Sequence, residues 1–93
     1  MREIRCAGRF KRDYKRKKSG RHRKTLDAVL MDVVRLLVDD EILPRHNFDH
    51  PLSGDWVDHR DCHIKPNLIL IYRKPDDDFF DSVRLGSHSE IGL

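Results

Sequence analysis

The side chains best suited to proton transfer near neutral pH are His22, His46, His50, His59, His63 and His88, because only the imidazole ordinarily changes charge in that range. Four of them crowd between His46 and His63. Metal binding is the first alternative to acid–base work, and spacing argues against it. His46 and His50 flank Asn47-Phe48-Asp49, just before Pro51, where a loop is expected in place of a stable helix. His59 and His63 are four apart on an expected strand, which separates them by about 13 Å. No Cys-x-x-Cys pair is present to complete a zinc set. For His22, His46 and His59 a plain surface or structural role is expected. For His50, His63 and His88 composition alone does not decide.

The second concentration of chemistry is charge. Arg9, Lys11, Arg12, Lys15, Arg16, Lys17, Lys18, Arg21, Arg23 and Lys24 are opposed within their stretch only by Asp13, although the whole chain carries just +3. Such density fits a polyanion, above all nucleic acid, and is also what a solvated helix face would show. The acids gather later, at Asp39–Glu41 and Asp76–Asp78.

These residues must be positioned by few elements. A 93-residue chain makes one domain, 1–93, and buries roughly 60–65 % of its unfolded surface. No apolar run is long enough to span a membrane, and the start has no apolar leader, so a cytoplasmic protein is expected. Cys6 and Cys62 are read as reduced thiols. Alternation over residues 2–7 predicts a first strand, and a basic helix is expected over about 9–18. Ser19-Gly20 breaks it. Leu26, Val29, Leu30, Val33, Val34 and Leu37 follow i, i+3, i+4, i+7, i+8, i+11, the stripe of an amphipathic helix. After a loop from Pro44 to about Gly54, alternation from Trp56 to Ile64 predicts a strand with His59, Asp61 and His63 on one face. Leu68–Tyr72 is apolar on both faces, as a covered central strand is. Phe79–Leu85 supplies the last strand. Strand, two helices, three strands make an α+β domain with its helices on one face of a small sheet.

Three stretches carry a resemblance: Asp49-His-Pro-Leu-Ser-Gly-Asp-Trp56, Arg60-Asp-Cys-His-Ile-Lys-Pro-Asn-Leu-Ile-Leu-Ile-Tyr-Arg73, and Val83-Arg-Leu-Gly-Ser-His-Ser-Glu90. In this order and spacing they resemble the YafQ branch of the RelE/ParE toxin superfamily, over nearly half of the chain. The first half resembles that branch only in its pattern of elements. The resemblance implies a compact RelE-like domain with an antiparallel-rich sheet. It also implies the toxin of a type II toxin–antitoxin pair, an endoribonuclease that cuts mRNA in the ribosomal A site. In such chemistry, without metal or cofactor, the RNA 2′-hydroxyl attacks the adjacent phosphate and leaves a 2′,3′-cyclic phosphate and a 5′-hydroxyl. On this sequence the family's catalytic histidines fall at His50, His63 and His88, with Asn67 and Arg84 in support. Trp56 is expected in the core and Arg60 in an ion pair that pins a strand.

The implied partners are a cognate antitoxin, the ribosome, its rRNA and the mRNA. Operator DNA would be reached only through the antitoxin complex, and no membrane is involved. The cluster Lys11, Arg12, Lys15, Arg16, Lys17, Lys18, Arg21, Arg23 and Lys24 is assigned to rRNA, away from the catalytic motifs. Two positions depart from the family pattern. Asn67 stands where an acid is usual, and an amide cannot act as a base. Ile91-Gly92-Leu93 supplies no aromatic after the tail histidine. The alternatives are a gyrase inhibitor of the ParE kind, which cleaves nothing, and an attenuated relic that binds RNA or antitoxin.

Overall fold

A computed structural model describes residues 2–93. The chain runs β1 (Glu3–Cys6), α1 (Gly8–Lys18), α2 (Leu26–Val38), β2 (His50–Pro51), β3 (Arg60–Lys65), β4 (Leu68–Arg73), β5 (Phe79–Gly86) and α3 (His88–Ile91). The five strands form one sheet in the order β1-β5-β4-β3-β2. Only β1 and β5 are parallel; the other neighbours are antiparallel. The α+β class and the central place of Leu68–Tyr72 agree with the sequence reading.

The apolar stripe of α2 drives the packing. Leu26, Leu30, Val33, Val34 and Leu37 are buried, and they meet Cys62, Ile64, Leu68, Leu70, Tyr72, Phe80 and Leu85 from the sheet. Full burial of one such aliphatic or aromatic side chain contributes roughly 1.5–3 kcal/mol. Phe10 anchors the otherwise polar α1 to the same core. Beyond Cys6, β1 no longer covers the edge of β5, and α1 takes its place. There Asp13, 4 % exposed, accepts a hydrogen bond from the Leu85 backbone N–H at 3.0 Å. The one acid inside the basic stretch thus satisfies a strand edge.

Ile69 and Ile71 of β4 are equally buried but belong to the face away from this core. Cross-strand pairs share a face. Asp61, Ile71 and Arg84 form one row, and His63, Ile69 and Gly86 the next. That second face carries the candidate site.

Two expectations fail. The strand expected from Trp56 begins at Arg60, because Gly54–Trp56 is a 3₁₀ turn and Gly54 and Asp58 have φ of +64° and +33°. Trp56 is only half-buried and stands edge-on to His59, outside the core. The two-residue β2 and the short α3 were not anticipated. Among the described residues no helix is long and apolar enough to cross a membrane.

Candidate active site

The antiparallel pairing of β2 with β3 sets His50 opposite Asp61. His63 lies two residues further along β3 and so projects from the same face. His88 arrives from the far end of the chain as the first residue of α3. Its helix is fixed by a reciprocal cap: the Glu90 N–H donates to Ser87 Oγ, and the Ser87 N–H donates to Glu90 Oε1. The rings of Phe48 and His63 are 5.2 Å apart, and those of His63 and His88 5.4 Å.

The segment that carries His50 is anchored on both sides. Asn47, buried, donates through Nδ2 to the His63 carbonyl at 2.7 Å. Asp49 accepts from Tyr72 Oη at 2.6 Å and from Arg60 Nε at 3.2 Å, the ion pair expected of Arg60. His50 Nδ1 lies 2.8 Å from the Phe48 carbonyl and 3.0 Å from Asp61 Oδ1. A carbonyl only accepts, so this hydrogen bond places a proton on Nδ1 and leaves Nε2 of a neutral ring as a free acceptor. Because the Nδ1–H points to Phe48, Asp61 Oδ1 is left without an aligned hydrogen bond of its own.

Asp61 is 1 % exposed. Burial pushes its carboxyl above the ordinary value, and His50, His63 and His88 pull it back down. The three histidines picked from separate motifs therefore all lie close enough to one buried acid to favour its ionised form. Sequence reasoning did not select Asp61 as a site residue, although the alternation of β3 had already put it on the face of His63.

Arg84 shares the row of Asp61. Its Nε donates to Asp13 Oδ2 at 2.8 Å, and the side chain is 15 % exposed. Nη1 makes no hydrogen bond among the described residues, which leaves its two N–H donors for an anion. Asn67 sits exposed in the β3–β4 turn. It lines a neighbouring cleft of about 550 Å³ with Arg16, Lys17, Arg21, His22, Ser87 and Glu90.

This cleft corrects the reading of the basic cluster. Its Arg16–Arg21 end abuts the segment that holds His88 instead of lying away from it. Its members also differ. Lys17 is engaged with Glu90 at 2.6 Å, Lys18 with Asp27 at 2.6 Å and Arg16 with Asp13 at 3.2 Å. The side chains of Lys11, Arg12, Lys15, Arg21, Arg23 and Lys24 are exposed and make no ion pair among the described residues.

His22, His46 and His59 stand outside the cluster. His22 receives Lys65 Nζ at 3.2 Å, and burial with the nearby Lys65 lowers its pKa. His59 is lowered by burial and Arg73. Cys6 and Cys62 are free thiols. Among the described residues no three His, Cys, Asp or Glu side chains are grouped to hold a metal ion.

Residues 2–92 match the family model described as the bacterial toxin of a type II toxin–antitoxin system, YafQ. The chain belongs to the YafQ toxin family. It is 35 % identical over 92 residues to the mRNA interferase toxin YafQ of Escherichia coli K12, covering 98 % of this chain and 96 % of that one. It is 44 % identical over 54 residues to a protein of Haemophilus influenzae named as a YafQ toxin, covering 55 % of this chain and 53 % of that one. In that match the chain spans about half the length of its relative. The E. coli DinJ–YafQ toxin–antitoxin complex contains a similar chain, with a TM-score of 0.80, 32 % identity, and 97 % of this chain and 96 % of that chain covered. YafQ membership extends over the first half of the sequence, where motifs alone were silent.

Proposed function

We propose that this YafQ-family chain is the toxin of a type II pair and cleaves mRNA on the ribosome by histidine acid–base chemistry. The observation that carries the reading is the gathering of His50, His63 and His88 close to Asp61. RNA cleavage by its own 2′-hydroxyl needs a base, an acid and a cation, and each has a candidate. His50 Nε2 takes the 2′-OH proton as that oxygen attacks phosphorus. The bond from phosphorus to O5′ breaks, and His63 or His88, protonated, delivers a proton to O5′. Arg84 Nη1 offers a donor to the crowded phosphate oxygens. The products are a 2′,3′-cyclic phosphate and a 5′-hydroxyl.

Outside its work the chain is held by a cognate antitoxin, as the E. coli relative is by DinJ. Operator DNA is reached through that complex. The exposed basic residues bind rRNA and mRNA phosphates. The test is to express the chain in cells and on programmed ribosomes, and to map 5′-hydroxyl transcript ends. Cleavage confined to translated mRNA is expected. Intact mRNA with inhibited topoisomerase would replace this reading with the gyrase-binding one. Intact mRNA with neither effect would leave a binding relic.

A further inference from the structure

We propose that Phe48 is a platform on which a nucleobase of the RNA substrate stacks, beside the histidine cluster. The inference rests on the RNA-cleaving reading and names a substrate subsite within it. Phe48 is 63 % exposed, outside the core cluster. It also holds a left-handed backbone, φ 47° and ψ 46°, at the end of the Arg45–Asn47 turn. A bulky side chain disfavours that region, and glycine or asparagine closes such a turn more readily. A bulky side chain held in such a conformation is a pointer to function at that position.

Geometry says which function. Phe48, His63 and His88 form a row of rings at 5.2 and 5.4 Å. The Phe48 carbonyl also holds His50 Nδ1 at 2.8 Å, so one residue carries the exposed ring and orients the candidate base. A base stacked on this ring would place its own ribose and phosphate among the histidines. Stacking suits any nucleobase, because each presents a π-face.

No other aromatic is available for the task. Phe10, Tyr72 and Phe80 are buried, and Tyr14 packs against Phe10 and bonds to Asp27. The Arg5 guanidinium covers the Phe79 ring at 4.0 Å. Trp56 is half-buried and packs T-shaped against His59, outside the cluster of His50, His63 and His88. The tail after His88 contains no aromatic.

The experiment measures kcat/KM on ribosomes programmed with mRNAs that carry an abasic residue at one position of the A-site codon. Phe48→Ala should lose roughly 5- to 150-fold on intact mRNA, the size of one lost stack. At one codon position the abasic residue should cost the wild-type protein a similar factor and cost Phe48→Ala nothing further. Phe48→Trp should retain cleavage. Phe48→Leu, which still props His63 but has no π-face, should not. Phe48→Asn, which suits the turn, should fold at least as stably as the wild type and cleave as poorly as alanine. If Phe48→Ala cuts like the wild type, or if abasic residues cost both proteins equally, the platform is refuted while RNA cleavage stands. Loss of antitoxin binding with cleavage intact would refute it in favour of a partner contact. If the wild-type chain cuts no mRNA at all, the function and the platform fall together.

Discussion

His50 Nδ1 lies 3.0 Å from the buried carboxylate of Asp61, yet it points its proton at the Phe48 carbonyl 2.8 Å away. The acid is therefore beside the imidazole without taking its hydrogen bond. The ring is oriented by backbone, and its nearness favours the ionised form of Asp61 against the cost of burial.

Alanine at His50, His63 or His88 should each reduce cleavage by on the order of 10²–10⁴, the usual cost of losing a positioned proton-transfer group. All three side chains lie outside the hydrophobic core, so far-ultraviolet dichroism and antitoxin binding should persist. The measurement is single-turnover cleavage on programmed ribosomes, followed by the 5′-hydroxyl product. Retention of wild-type rates by all three variants would refute the assignment.

Asp61→Asn should separate activity from stability. The folded-state pKa of Asp61 is raised from 3.8, chiefly by burial. Below 3.8 both folded and unfolded chains hold the proton, and the site carries no penalty. As pH rises above 3.8 the unfolded chain ionises first, which favours unfolding. The asparagine variant escapes this. Its Tm should match the wild type in acid and exceed it increasingly as pH rises, while cleavage falls for lack of the charge. Thermal melts from pH 3 to pH 7 would show a constant Tm difference if the acid were not penalised by burial.

Lys17 and Glu90 should behave as a clasp on the helix that carries His88. The hydrogen bond from Lys17, followed by that from the Ser87 N–H, holds Glu90 down to about 2 from an ordinary 4.5. A depressed acid stabilises the fold above its unfolded value and loses that effect as pH falls toward its folded one. Glu90→Gln should therefore lower Tm at pH 7, with the difference closing between pH 4.5 and pH 2. Lys17→Met should reduce cleavage more than ribosome affinity. Lys17→Arg, which keeps a cation facing Glu90 and leaves the Ser87 cap intact, should retain most of the rate. Equal Tm values for Glu90→Gln and wild type at pH 7 would count against the clasp.

Arg12→Glu with Lys15→Glu should weaken ribosome binding without lowering Tm, because neither side chain has an internal partner. Each lost phosphate contact should flatten the slope of log affinity against log salt by roughly 0.7 to 0.9. Binding titrations between low and moderate salt check this. An unchanged slope would mean that these cations are only solvated.

Periodicity in the sequence determined the α+β class, the run of α2 and the centrality of β4, because an apolar stripe or a two-faced apolar run has few ways to be buried. Three motifs were enough to select His50, His63, His88 and Arg84. Neighbourhood was not legible. The chain gives no sign that β2 would register His50 against Asp61, since two residues carry no pattern. Nor does it show that the capping box at Ser87 and Glu90 would fold the tail back to bring His88 beside His63. Asp13 reads as a stray acid in a basic helix, and only the incomplete cover of β5 by β1 makes it a strand cap and the partner of Arg84. Lys17 and Lys11 are the same letter in one basic helix. One faces Glu90 and the other faces water, and that difference arises only when α1 and α3 are brought together. Side-chain identity follows from sequence, but the field around each side chain depends on contacts between residues far apart in the chain.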